Sequence, residues 1–208
     1  MMLMLNAIGE TCGAFRRLVS RFRRETAGVA AIEFAFIMPV MLALYFLTME
    51  FSQAIDANKK VGRVASQVAD LVTQSNSVTR NDLDAIMKIG ESILQPYSRS
   101  NIEIEVIQIE ITDEKTPKAL VDWSRRMKDG NFGKGPNKGT RVEIPEALMV
   151  PGNFLIRAQS SLDYAPVITW SASGKKATGL VAAFDSINMS ERYYLRPRMS
   201  TEVPCGDC

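Results

Sequence analysis

The chain has 208 residues and a formal net charge of +2, room for one domain plus an anchor and too little charge to point to nucleic acid or an acidic substrate. With 46% hydrophobic and 23% charged residues, it can bury a sizeable core and is not expected to be disordered. It contains no histidine, which removes Ser-His-Asp and Cys-His nucleophilic chemistry, imidazole metal ligands and imidazole acid–base catalysis together. The expected class is a protein without catalytic residues, cofactor or metal.

The net charge hides an uneven distribution. Arg16, Arg17, Arg21, Arg23 and Arg24 crowd just ahead of an apolar run. Between Glu33 and Glu50 lie sixteen residues, FAFIMPVMLALYFLTM, without a charge, and GVAAI extends the run backwards past Glu33. A membrane-spanning helix needs about 20 apolar residues, so the segment qualifies if Glu33 is tolerated. At about 1.5 Å per residue the two glutamates would stand roughly 25 Å apart along a helix, slightly under the hydrocarbon thickness of about 30 Å. The arginines before the run outnumber Lys59, Lys60 and Arg63 after it, which predicts a cytoplasmic N-terminus and a domain on the far side. A cleaved secretory signal would need a small-residue site behind the run. EFSQAIDANKK supplies none, so the segment is expected to stay.

Two readings of Glu33 stand. It can sit at the headgroup border, where an acidic residue costs less than the roughly +2.5 to +3.5 kcal/mol of a mid-membrane position. Alternatively it is kept for a cationic partner, because a charge in lipid is expensive unless paired. Pro39, inside the run, removes one backbone hydrogen bond and predicts a kink, which neighbouring helices can accommodate; a packing role and an incidental kink are both open.

The residues ahead of Glu33 favour the paired reading by resemblance. A basic leader, Gly28, and a glutamate five residues on resemble a type IV prepilin signal. More narrowly, G-V-A-A-I-E-F-A-F-I-M-P (Gly28 to Pro39) and M-E-F-S-Q-A-I (Met49 to Ile55) resemble the TadE-like (TadE/TadG) family of pseudopilin-like assembly proteins of the tight-adherence (Flp) type IVb pilus. R-Y-Y-L-R-P-R, Arg192 to Arg198, is similar to the family's closing segment with less specificity. The resemblance implies cleavage between Gly28 and Val29 by a prepilin peptidase. It also implies that Glu33, with Phe34 beside it, pairs with the new N-terminal amine of a neighbouring subunit. Val29 departs from the usual Phe or Met at that position, which leaves the cleavage open. The implied partners are other pilus subunits and minor pilins, the inner-membrane pilus platform and membrane lipid, with no nucleic acid.

Past Glu50 a helical period continues through Phe51, Ile55, Val61, Val64, Val68, Leu71 and Val72, predicting one long helix whose far half lies on a soluble domain. TQSNSVT reads as a loop, and Thr79 with Asp82 resembles a capping box opening a second helix to about Leu94, which Pro96 ends. In NIEIEVIQIEIT the period becomes two, and its phase slips at Val106–Ile107. A strand with a bulge explains the slip, and Glu103 and Glu105 then mark a solvated face. Further strands are expected at Ala119 to Arg125, Ala147 to Val150, Phe154 to Tyr164, Val167 to Trp170 and Arg192 to Leu195, with Pro145, Pro151, Pro166 and Pro197 as punctuation. The intervening RRMKDGNFGKGPNKGT lacks the phosphate-loop spacing and is expected to be a flexible hairpin tip. Ser173 and Lys176 form S-x-x-K without the motifs that accompany it in enzymes, and are set aside.

Of the three cysteines, Cys12 follows no small apolar box and carries little weight for lipidation. Cys205 and Cys208 close the sequence as C-G-D-C, a disulfide in an oxidising compartment or a free pair; a thioredoxin-like site would need a strand-to-helix junction. The expected fold class is α+β: a leader over residues 1–28, a transmembrane helix over 29–49, a periplasmic helical segment over 50–95 and an antiparallel β-rich domain over 96–208. The resemblance makes this a minor pseudopilin or assembly factor that works by helix packing at the bacterial inner membrane. A generic membrane-tethered periplasmic binding protein and an anchored envelope enzyme are the competing readings, the latter weakened by the missing histidines.

Overall fold

The computed structural model describes residues 28–97, 102–166 and 187–208. The arginine-rich leader, Cys12, the strand expected at Val167 to Trp170 and the Ser173/Lys176 pair lie outside the described residues. Compact contacts divide the chain between Met49 and Glu50.

Helix α1 spans Val29–Thr73 and runs through Pro39 without a break in the helix. Among residues 28–48 every side chain is exposed. Beyond Glu50 one stripe goes under: Ala57, Val61, Val64, Ala65, Val68, Ala69 and Val72 are all buried. These recur at three and four, the spacing of one helix face. The expected stripe is corrected in part: Phe51, Ile55 and Leu71 are exposed. They stand off the phase set by Val61, Val64 and Val68, and alanines, small enough for close approach, take the buried places beside those valines.

Helix α2, Arg80–Ile93, opens on the expected capping box. Thr79 N donates to Asp82 Oδ2 at 2.9 Å and Asp82 N donates to Thr79 Oγ1 at 3.3 Å, satisfying donors that the helix itself leaves open. Leu83, Met87 and Gly90 form its buried face. Gly90 is where α1, α2 and the sheet come closest. A Cβ there would lie 3.0 Å from Val68 Cγ2, 3.1 Å from Val64 Cγ1 and 3.2 Å from Ile104 Cδ1. Overfilling a packed core costs about 1–3 kcal/mol. Gly90→Leu is therefore expected to lower the thermal midpoint in detergent by several degrees, read by circular dichroism, and an unchanged midpoint would show that the crossing is loose.

The sheet contains β1 (Ile102–Ile111), β2 (Ala119–Lys128), β3 (Asn131–Gly133), β4 (Phe154–Tyr164) and β5 (Ile187–Leu195), all antiparallel in the order β3-β2-β1-β4-β5. Its two faces carry two cores. Ile102, Ile104 and Val106 join the helices in the larger one; Ile107, Ile109 and Ile111 point the other way into a smaller one with Ala119, Val121 and Leu155. This replaces the bulge proposed at Val106–Ile107. Opposite β4 the register runs unbroken from Ile102↔Leu162 to Glu110↔Phe154, and apolar residues change parity because the second core begins. A register shift does occur opposite β2, between Gln108 and Ile109, where Asp122 of β2 is the unmatched residue. It flips β2 over: Ala119 and Val121 face the small core, Trp123 and Met127 the large one.

Two loop expectations are also corrected. Residues 125–128 belong to β2, and Asp129 and Gly130, with φ of 49° and 74°, make the tight turn into β3. The chain then folds back along β2, with Gly139 N on Val121 O and Val142 N on Ala119 O, so this segment is pinned rather than a loose tip. No strand forms at Ala147 to Val150. A 3-10 turn, Glu146–Leu148, stands there, started by Pro145, whose carbonyl accepts from Leu148 N. Leu148 and Met149 cover the small core instead of pairing.

The final residues cross the large core as a strap. Arg198 N caps Thr73 O at the end of α1. Val203 is fully buried, its carbonyl accepting from Trp123 Nε1 at 2.8 Å and its amide donating to Gln108 Oε1 at 2.8 Å. Val78 and Cys205 form a parallel bridge. Cys205 and Cys208 are paired as a disulfide with Cα atoms 5.6 Å apart, and Asp207 Oδ1 accepts from Arg80 N at the start of α2.

Candidate functional site

The first stretch of α1 presents the sequence-predicted residues. Ile32 N donates to Gly28 O, so the glycine carbonyl takes part in the helical ladder, and a Cβ on Gly28 would meet nothing among the described residues within 4 Å. Val29, Glu33 and Phe34 follow in the first turns and all are exposed. Among the described residues no cation pairs with Glu33. The apolar stretch of this helix is not buried against the rest of the described protein. Exposed Phe34, Phe36, Ile37, Leu44 and Phe46 suit a surface in contact with lipid or other helices. It is the one helix among the described residues long and apolar enough to cross a membrane, and a signal sequence would meet the same test.

A polar cluster that sequence reasoning missed stands where the domain begins. Tyr164 Oη donates to Glu50 Oε1 at 2.6 Å. Tyr97 packs edge-on against Tyr164, with centroids 5.9 Å apart, and its hydroxyl donates to Asp56 Oδ2 at 3.2 Å. Lys60 donates to Gln95 O at 2.7 Å, lies 3.5 Å from Asp56 and sits 5.1 Å from the Tyr97 ring centre. The only sequence signal was Glu50 itself at the end of the apolar run. Its partner is 114 residues away, beyond the reach of any local pattern.

Burial, then the hydrogen bond and charge of Glu50, push the Tyr164 hydroxyl well above its usual range; burial and Asp56 raise Tyr97 less far. A phenol whose folded value exceeds its unfolded value of about 10 stabilises the fold fully below that pH and progressively less as pH rises through it. The domain is expected to lose thermal stability above about pH 10, and Tyr164→Phe should flatten that loss in a pH series of melting curves. An identical alkaline slope in the variant would remove the Tyr164–Glu50 bond from the account.

Elsewhere several charged residues are held in ion pairs. Arg125 clasps Asp84 of α2 through two bonds of 2.7 Å. On the outer sheet face Glu105 pairs with Arg157 at 2.7 Å, and Glu103 lies within 4 Å of both Arg126 and Lys128. Glu103 and Glu105 are therefore strand-face carboxylates held by cations, and the shallow groove they line with Gln159 and Ser161 offers no open acid pair. Cys205, Asp207 and Cys208 lie close enough to suggest metal ligands, but both sulfurs are in the disulfide.

Residues 28–70 match the family model described as TadE-like protein, and the chain carries a TadE-like family domain over that stretch. The match coincides with α1 from Gly28 to within a turn of its end and stops before the sheet. No curated protein and no solved structure matches the chain.

Proposed function

We propose that this protein is a membrane-anchored subunit of a tight-adherence (Flp) pilus system, a minor pseudopilin or assembly factor that acts by helix packing and breaks no bond. The carrying observation is the position of the TadE-like match: it falls on the exposed apolar helix that holds Glu33. In this reading α1 crosses the inner membrane over residues 29–49, the arginines ahead of it hold the N-terminus in the cytoplasm, and the domain from Glu50 onward is periplasmic. A disulfide between Cys205 and Cys208 suits that oxidising compartment. The partners are other pilus subunits and the inner-membrane platform, and a prepilin peptidase cuts between Gly28 and Val29.

Two measurements test this. A strain lacking the protein should lose surface pili and attachment, regained with the full chain and not with residues 50–208 exported alone; normal piliation in the deletion strain would refute the pilus role. Intact mass of the protein purified from peptidase-positive membranes is expected to correspond to a chain starting at Val29. A mass that includes Met1 to Gly28 would rule out the cut.

A further inference from the structure

The capping box of α2 does not serve every donor of its first turn. Thr79 and Asp82 bind each other's amides, whereas Arg80 N is one of the donors that a helix leaves open at its start. Its partner is Asp207 Oδ1 at 2.8 Å, 127 residues away in sequence. A carboxylate there also meets the positive end of the α2 dipole. The residue before the cap is held from the same side. Val78 N donates to Pro204 O at 3.0 Å, and Gly206 N donates to Val78 O at 3.3 Å. Residues 204–207 thus close over residues 78–80.

Asp207 is exposed, and an exposed side chain on a loose segment gives up conformational freedom to hold such a position. The disulfide offsets that loss locally. It joins residues three apart in sequence, so the ring it closes constrains the unfolded chain far less than a long loop would. Its effect falls on Gly206 and Asp207, the two residues inside the ring. Both cysteines pack, partly buried, against the large core, which seats the ring. The strap has a separate hold upstream: Val203 is clamped between Trp123 Nε1 and Gln108 Oε1, and Gln108 Nε2 is tied to Asp122 Oδ2 at 2.9 Å. No sulfur takes part in that hold.

We propose that C-G-D-C is a redox clasp between the strap and α2. Closed, it presents Asp207 to Arg80 N and keeps residues 204–206 on Val78. A dithiol reductant opens it by thiol–disulfide exchange: one thiolate attacks a sulfur of the pair, a mixed disulfide forms, and the second thiol displaces the protein. Two electrons pass to the Cys205–Cys208 bond, the reductant leaves as a disulfide, and two protons end on the cysteine sulfurs. Opening frees residues 204–208 from the start of α2 while Val203 stays clamped. The clasp depends on neither the pilus role nor the membrane role of α1.

The test compares the full chain in detergent before and after native treatment with dithiothreitol, together with the Cys205→Ser/Cys208→Ser double variant. Alkylation in denaturant should count two more thiols in the treated chain. Deuterium uptake, resolved to single amides by mass spectrometry, should quicken at Val78, Arg80 and Gly206 by about fivefold or more, the size of a lost helix cap. Uptake at Val203 and across β4 should not change. Asp207→Ala keeps the disulfide and should quicken Arg80 but not Val78, which separates the cap from the ring. Equal thiol counts would mean a pair that is never closed or never opened, and would overturn the switch. Unchanged exchange at Val78 and Arg80 in both the treated chain and the double variant would overturn it too. Faster exchange throughout β4 would make the disulfide a general stabiliser of the domain and reject the clasp.

Discussion

Glu33→Gln is expected to insert into the membrane normally and to abolish pilus assembly. The amide is close to isosteric with the carboxylate, so helix packing around it changes little. Insertion should if anything ease, because an acidic residue in a membrane helix costs up to roughly 2.5–3.5 kcal/mol at the centre and less near the border. What disappears is the negative charge. In the described residues no cation answers Glu33, and the proposed partner is the N-terminal ammonium of a neighbouring chain, created by the cut after Gly28. A buried charge pair broken on one side leaves the other charge uncompensated, which costs about 3–5 kcal/mol, enough to empty an assembly intermediate. Membrane fractionation should show the variant at wild-type abundance, and shearing of surface filaments should yield none. Glu33→Asp, which keeps the charge on a shorter arm, is expected to assemble partially. Full piliation by the glutamine variant would reduce Glu33 to a headgroup-border residue and favour a mere tether.

The second large effect is on stability. Ile104 is fully buried in the core between the sheet and the two helices, and its Cδ1 would lie 3.2 Å from a Cβ on Gly90. Ile104→Ala removes apolar contacts and leaves a cavity that rigid neighbours on three elements cannot collapse into, a loss of about 2–5 kcal/mol. Against a total of about 5–15 kcal/mol for a typical domain, that is a large share. Thermal unfolding in detergent should shift down by roughly 4–20 °C at about 2–4 °C per kcal/mol. Ile89→Ala on the exposed side of α2 is the control, expected to fall within about 0.5 kcal/mol of wild type. Equal, small shifts for both would mean that the three elements are not joined through Ile104.

Much of the architecture was legible because its signals are local. A run of apolar residues, a Thr-x-x-Asp cap, a proline stop and a period of two are each written within one or two turns of chain. They led to α1, α2, β1 and β4 at close to their observed limits. Ala147 to Val150 failed as a strand because its apolar residues are consumed covering the small core, a use that no window of four residues reveals. The phase slip at Val106–Ile107 was visible, yet alternation alone could not say whether the strand bulged or the sheet was covered on both sides.

The amino-acid order by itself thus determined the membrane-length helix, the place of Glu33 within it, the leader-glycine-glutamate pattern and the α+β class, since each depends on neighbours along the chain. Tertiary structure alone decided that Asp122 is the bulged residue, that Gln108 and Trp123 clamp Val203, that Tyr164 answers Glu50 from 114 residues away, and that Phe51 and Ile55 stay uncovered. The reason is physical: helix and strand periods are set by bonds within a few residues, while the choice of which apolar face is covered, and which buried polar atom finds a donor, is made between segments that meet only after the sheet has closed.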